Sequence, residues 1–517
     1  MAIDFELTAA AQVERSKLRK HFGRFDIFFF LICTLVGVDT IASVARGGGQ
    51  ALTWMIVLAV VFFVPQALLF AELGTTFPQE GGEYLWTRLA FGHLAGAVNN
   101  FLYWITNPVW IGGTLALSAI AGMEIFWNHG NNFSTVGFII VGLIFIWITV
   151  TGAIVSFSYG KWIPTVGAFA RFLLLGLFSV SVIAFAIEHG VHGLGAGSYK
   201  PNSTGFVLLI GVLLFNYVGF ELPNSAGDEM TNPQRDVPFA IMRSAVLTVV
   251  LYAVPVLGIL VVLPPSAISG FSGFANAFHN VFSVWGGSLQ HGTLTGAGAV
   301  LGNACLLGYI VCLITSGTTW IMGADRSLAV SGYDGAAPRS LGVISERFGT
   351  PVRVNILSGV VATAFLLAVH YISSGNAAKF FSVALGITVS TTLISYLLIY
   401  PAAWQLRRSH PEVPRPYRMP AHRALTVVLM ILLVISVIEL IAPGFGAGLF
   451  ASHAGFFTSA FRVSGWTYAQ RWTYLLVELI PVLFFILVGV AFYFSGASTR
   501  RDVVAASAQA SLQPEFD

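Results

Sequence analysis

Charge is what this sequence has least of. Only 9% of its 517 residues are Asp, Glu, Lys or Arg, against about 25% in an ordinary soluble domain. So few charges cannot coat the several water-facing domains that a soluble chain of this length would form. Cysteine is equally scarce. Cys33, Cys305 and Cys312 all lie in apolar runs, which excludes a disulfide framework and a Cys-based zinc cluster. No basic and aromatic surface suited to nucleic acid is present. Neither a His-Glu-x-x-His set nor a Ser, His and Asp grouping points to an enzyme, so no metal and no cofactor are expected. The abundant residues are hydrophobic, at 56% of the chain, with 43 Phe and 54 Gly. That is the composition of helices packed in a lipid bilayer.

A helix needs about 20 mostly apolar residues to cross the hydrocarbon core. That rule gives spans at 26–45, 51–71, 92–126, 135–156, 162–187, 205–225, 238–263, 293–325, 353–372, 377–401, 424–442 and 474–496. The expectation is an all-α polytopic membrane protein with 12 transmembrane helices. The connections 264–292 and 443–473 are expected to be short surface helices or loops. Residues 1–24 are polar and basic, and the apolar run that follows is read as a retained span, because a cleavable signal needs a shorter one. With the amino terminus in the cytoplasm, inside segments hold 20 Lys and Arg and outside segments 5. The bias places both termini in the cytoplasm of a multi-pass protein of the plasma, or inner, membrane.

Two spans carry an unusual pattern. The first contains Gly37-Val38-Asp39-Thr40-Ile41, and the sixth Tyr217-Val218-Gly219-Phe220-Glu221 followed by Pro223-Asn224. Each is an apolar run interrupted by Gly, one residue, then an acid. Paired interrupted spans are the sequence mark of a transporter's midplane site. Glycine lowers the backbone cost of the break, and freed amides at a half-helix start can receive a carboxylate. Freed carbonyls and a side-chain acid can receive an ammonium. A charge at this depth is costly unless paired, protonated or wet, so Asp39 and Glu221 are read as walls of a substrate or proton path. The plainer alternative for both is a structural acid, Glu221 being held neutral against a backbone carbonyl. Arg171, inside span five, must snorkel, pair, or stand where a bound cation would hold two broken helices together.

Three polar loops complete the pattern. They are Glu72-Leu-Gly-Thr-Thr-Phe77-Pro78-Gln-Glu80-Gly81-Gly82-Glu83-Tyr84-Leu-Trp86, then Glu229-Met-Thr-Asn232-Pro233-Gln-Arg235-Asp236, then Asp325-Arg326 through Gly332, Gly335 and Pro338. In this order and spacing the chain resembles the amino acid–polyamine–organocation permease superfamily, over roughly residues 24 to 498. A narrower likeness is to the glutamate/γ-aminobutyrate antiporter group. The resemblance implies a five-plus-five inverted repeat, with a first repeat at 25–187, a second at 204–401 and two additional helices within 424–496. Tails at 1–24 and 497–517 flank them. Spans 1, 3, 6, 8 and 10 would surround the substrate.

By the same resemblance Gly37 to Ser43 would take a substrate carboxylate on backbone amides. Tyr217 to Glu221 would take the amino group, with Phe220 as an aromatic lid and Asn224 just beyond. Arg171 would replace a sodium ion beside Gly37, and Tyr84, Arg235, Arg326 and Arg339 would belong to the gate and its anchoring loops. Where many members have a Gly-Ser-Gly-Ile run, this chain has Asp39 at the third position, which favours a solute with a prominent cationic end. The expectation is a proton-coupled, sodium-independent secondary carrier, symporter or exchanger, of an amino acid or an amino-acid-derived amine. A polyamine such as putrescine is the alternative, and a channel or solute receptor the alternative of another class. Its partners are then a small amine, the proton and the bilayer; the sequence gives no oligomeric state.

Overall fold

The computed structural model describes residues 13–14, 22–159, 162–191, 195–290, 293–441 and 465–502. Most of the 1–24 tail, the connection over 442–464 and the tail from 503 lie outside the described residues. Among the described residues ten helices are long and apolar enough to cross a membrane: Gly49–Thr76, His93–Phe126, Thr135–Val155, Trp162–His189, Pro233–Val262, Gly296–Tyr333, Val352–Ile372, Ala377–Ser409, His422–Leu440 and Tyr468–Ser495. The architecture is that of a nearly all-helical, multi-pass membrane protein.

The two expected spans that fall short of this length are the two with the glycine–acid pattern. The first runs as helix Arg24–Leu35, an extended and turned stretch over residues 36–40, and a short helix Ile41–Ala45. The sixth runs as helix Ser203–Phe215, a non-helical stretch over 216–221, and a 3-10 segment Leu222–Glu229. Pro223 stands near the start of that segment, where its missing N–H costs nothing.

Two long helices differ from a plain rod. His93–Phe126 contains a π-helical turn at Ile111–Leu115, around Gly112-Gly113. A Cβ on Gly112 would come within 2.1 Å of the Ala362 carbonyl oxygen, so the bare glycine lets helix Val352–Ile372 press against the turn. Helix Gly49–Thr76 likewise has a π turn at Ala59–Phe63. Such turns re-aim the side chains beside them and recur at functional sites.

Helix Gly296–Tyr333 has 38 residues, about 57 Å at 1.5 Å per residue, and so extends well beyond a hydrocarbon core of about 30 Å. The expected end at residue 325 is corrected to Tyr333. Asp325 and Arg326 read as loop residues by polarity, yet both are buried within the helix. The 264–292 connection, expected as short surface helices or loops, holds both a helix and a piece of sheet. After helix Gly273–Val281 it forms a small antiparallel hairpin of Gly287–Gln290 with Thr293–Thr295.

Candidate functional site

The first break is held open by partners from two neighbouring helices and from its own Thr40. The Gly37 amide donates to the Tyr252 hydroxyl at 2.8 Å, and that hydroxyl donates to the Leu35 carbonyl at 2.9 Å. Thr40 Oγ1 donates to the Gly37 carbonyl at 3.1 Å, and the Trp320 indole to the Thr34 carbonyl at 3.1 Å. Groups that a continuous helix would pair internally are thus satisfied from Pro233–Val262 and Gly296–Tyr333, which is what makes a break tolerable in lipid. The short helix Ile41–Ala45 then begins with first-turn amides that have no intrahelical acceptor.

Asp39 is 1% exposed. Its Oδ2 accepts from the Trp110 indole at 2.9 Å and the Thr114 hydroxyl at 2.8 Å, while Oδ1 has no hydrogen-bond partner. Trp110 precedes the π turn and Thr114, four residues on, lies within it, and the turn brings both onto one carboxyl oxygen. Val38, Thr40 and Ile41 are buried around it.

At the second break Gly219 adopts φ +124°, a conformation closed to other residues in practice. Its amide donates to the Tyr396 hydroxyl at 3.1 Å. Glu221, 0% exposed, accepts at Oε1 from the Tyr103 hydroxyl at 2.8 Å. The aromatic rings connect the two acids. Trp110 meets Trp320 edge-on at 6.1 Å between centroids, and Trp320 lies 6.2 Å from Tyr103. Phe215 packs edge-on against Trp110 at 6.3 Å. Beside Phe215, the buried Asn216 has neither amide atom paired.

Other expected residues point elsewhere. Tyr217 and Phe220 both stack on Phe63, at 4.5 and 4.7 Å, and the Tyr217 hydroxyl donates to the Met55 carbonyl at 2.9 Å. They lock the second break to the π turn of helix Gly49–Thr76. Asn224 is buried with its amide unpaired, filling the space that Gly74 leaves.

Arg171 is fully buried and does not snorkel. Nε donates to the Val36 carbonyl at 2.9 Å, Nη1 to the Gly167 carbonyl at 2.7 Å and to Thr315 Oγ1 at 3.2 Å. Nη2 donates to the Cys312 carbonyl at 2.9 Å and to the Ser316 hydroxyl. One planar cation therefore ties the first break to helix Gly296–Tyr333, using donors fixed in a fork.

The four expected gate residues divide. Arg326 is buried and paired with Glu80 at 3.2 Å, with Glu229, and with the Gly349 carbonyl at 3.0 Å. Tyr84 is buried and donates to Asp334, which Arg88 also contacts at 2.9 Å. Arg235 and Arg339 are exposed and stand outside these clusters. Burial raises the Glu80 carboxyl well above its usual range, with Arg326 opposing that rise and Glu229 adding to it.

Sequence reasoning missed Tyr103, Trp110, Thr114, Tyr252, Trp320 and Tyr396. They come from helices other than the broken ones, and singly each looks like core packing. One signal was available: Trp110 and Thr114 bracket Gly112-Gly113 in an unusually long span.

The profile of the amino acid permease family matches residues 22–452. The chain belongs to that family. A Lactococcus lactis protein named as a probable agmatine/putrescine antiporter is 28% identical over 431 residues, covering 82% of this chain and 88% of its own. An uncharacterized transporter of Legionella pneumophila is 29% identical over 76% of this chain and 83% of its own. The cadaverine/lysine antiporter of Escherichia coli is 25% identical over 69% of this chain and 76% of its own. As an amino acid permease family member with this helical build, the chain is a membrane transporter of the amino acid and amine class.

Proposed function

We propose that this permease is a secondary active transporter, working as a symporter or exchanger by alternating access. Its solute is an amino acid or an amino-acid-derived amine. The observation that carries the reading is the pair of buried acids, Asp39 and Glu221, placed on either side of Trp110, Trp320 and Tyr103. Asp39 Oδ1 is left without a protein partner, as an oxygen reserved for a solute's ammonium would be. The aromatic faces beside it suit a cation. A carboxylate-bearing solute would meet the amides of the Gly37 to Thr40 stretch beyond the Gly37 N–H, which Tyr252 takes.

A second reading has its own support. Two acids separated by an aromatic wall suit a solute with a cation at each end, such as a diamine. The relatives named for agmatine, putrescine and cadaverine are in keeping with that choice. In this version Asp39 and Glu221 each take one cationic end, and Asn216 offers a neutral amide beside them.

The remaining assignments follow from the same account. Twelve spans arise when the two interrupted segments are added to the ten continuous helices, grouped as repeats 25–187 and 204–401 with 424–496 outside them. Both termini face the cytoplasm of the inner membrane. Arg171 stands in for a sodium ion between the first break and span eight, making transport sodium-independent, and a proton on Asp39 or Glu221 supplies coupling. Tyr84 and Arg326 anchor the cytoplasmic gate, and Arg235 and Arg339 flank it. For solute to drive closure, it must bind the occluded state more tightly than the open ones.

The test is thermal-shift screening of the purified protein against amino acids and diamines, followed by counterflow of the hits in liposomes. Saturable counterflow of an amine is the expected result. Stabilisation by no amine, together with no counterflow, would remove the reading.

A further inference from the structure

The connection that leads into helix Gly296–Tyr333 has no part in the account above, yet it straps the first break to that helix. Its near end grips the short helix Ile41–Ala45, which begins two residues after Asp39. The Ser43 hydroxyl donates to the Gly270 carbonyl at 3.3 Å, and a Cβ on Gly273 would stand 3.0 Å from the Ala42 Cβ. Phe271 packs against Phe381 of helix Ala377–Ser409 at 6.0 Å. The far end is the hairpin, which runs directly into helix Gly296–Tyr333.

One side chain fastens the two ends together. His279, in the last turn of helix Gly273–Val281, is 8% exposed. Its Nε2 accepts at 3.1 Å from the backbone amide of Leu294, in the second hairpin strand. An accepting ring nitrogen is the lone pair of a neutral imidazole, so the ring hydrogen is on Nδ1. Phe126 closes the contact: its ring meets His279 edge-on at 5.4 Å, and with Leu294 it fills the space beside Gly302. An added proton has only Nε2 to take it. It would set N–H against N–H and leave the buried Leu294 amide without an acceptor, a costly state that parting the two ends relieves.

Among the described residues no carboxylate pairs with this ring to hold its charge in place; burial is what lowers it below the ordinary value of 6.5. On helix His93–Phe126, Glu124 is taken by the Phe133 amide at 2.8 Å. Helix Gly296–Tyr333 brings the neutral Cys305 and Tyr309, and Pro233–Val262 brings Tyr252, which is spent on Gly37 and Leu35. Glu188 and His189, ending Trp162–His189, are exposed, and Arg46 after Ile41–Ala45 is itself a cation. Once water reaches the ring, the C-terminal end of its own helix favours the charged form.

We propose that the His279–Leu294 hydrogen bond is a proton-sensitive latch. Protonation parts helix Gly273–Val281 from the hairpin and loosens the strap on Ile41–Ala45, so that acid on the face opposite Arg326 frees the outer half of the first break. The released ring binds a proton more readily than the latched one, so the latch holds above the ordinary histidine range and weakens as pH falls through it. This rests on the transporter reading only for its consequence, which is that the freed half-helix opens the solute path on that face.

The test is hydrogen exchange of the full-length protein at about pH 7.5 and about pH 5, on either side of the histidine range, with rates corrected for the intrinsic effect of pH. Amides of residues 41–46 and 270–281 should lose protection at least fivefold in acid. His279→Gln, whose side-chain oxygen can accept from Leu294 at every pH, should keep its protection within twofold. His279→Arg, always charged, should lack it at both values. Equal wild-type protection at the two values overturns the proposal, and so does a loss in His279→Gln that matches wild type. A second measurement needs no variant to fold. Nitrogen-15 spectra of histidine-labelled wild type should show a ring passing from the Nδ1–H tautomer to the doubly protonated form over the range in which protection is lost; no such ring overturns the latch. Vesicles that exchange no amine would sink the transporter reading and leave exchange and spectra to decide this one.

Discussion

Gly219 and Thr34 touch across the two interrupted segments. A Cβ on Gly219 would stand 2.8 Å from Thr34 Cγ2 and 3.1 Å from the Trp320 ring. The breaks are therefore fitted to each other, and the positive φ of Gly219 is imposed at the point of contact. That contact brings Asp39 on one segment and Glu221 on the other to a common aromatic wall.

Gly219→Ala should accordingly weaken the protein by about 2 kcal/mol or more, from backbone strain together with overpacking. The thermal midpoint in detergent measures this. A midpoint equal to wild type would mean that the segments do not meet as described.

Arg171→Met removes the donors that serve the Val36, Gly167 and Cys312 carbonyls. Leaving buried carbonyls unpaired costs roughly 1–3 kcal/mol each before relaxation, so a large fall in the midpoint is expected. With the wild type, replacing sodium by choline should leave transport unchanged. Dependence on sodium would contradict the role given to this guanidinium.

The arginines of the loops should separate by burial. Arg326→Gln strands Glu80 and Glu229 in a dry site and should cost about 3–5 kcal/mol. Arg235→Gln and Arg339→Gln, at exposed positions, should stay within about 0.5 kcal/mol of wild type. Similar losses for all three would put Arg235 and Arg339 inside the same network.

The Glu83 carboxyl gives stability a pH slope. It ionises near 4.5 as a free group and near 8 in the folded protein, so between those values the folded state holds a proton that the unfolded chain has released. Its contribution to stability is complete below pH 4.5 and declines as pH rises to about 8. Glu83→Gln carries no such proton, and its midpoint should gain on wild type across that window. Parallel curves for the two proteins would contradict a buried, protonated Glu83.

The breaks were readable because their signal is local: a glycine and an acid two residues apart inside an apolar run are costly enough in lipid to require an explanation. The side chains that complete the site carry no such mark. Trp110, Trp320 and Tyr103 are aromatic residues in a chain that is 14% aromatic, and only the fold brings them between Asp39 and Glu221. The end of helix Gly296–Tyr333 was misplaced for a related reason. Asp325 looks like a loop residue until Trp104, Ser358 and Asn355 are seen to satisfy both of its oxygens at 2.7–2.9 Å. Arg326 is paired with Glu80, Glu229 and the Gly349 carbonyl, so the helix can carry both residues inward. Tyr217 and Phe220 sit in the broken segment as read, yet their rings face Phe63, an orientation set by a π turn that the sequence does not announce.

The central claim is that one amine solute sits between Asp39 and Glu221, and equilibrium binding of radiolabelled putrescine tests it most directly. Wild type, Asp39→Asn, Glu221→Gln and the double variant would be compared in detergent at one pH. Each single variant should bind at least tenfold more weakly, as loss of a charge-assisted contact of about 1.5–3 kcal/mol requires. All four proteins binding with equal affinity, or none binding any amine, would contradict the account.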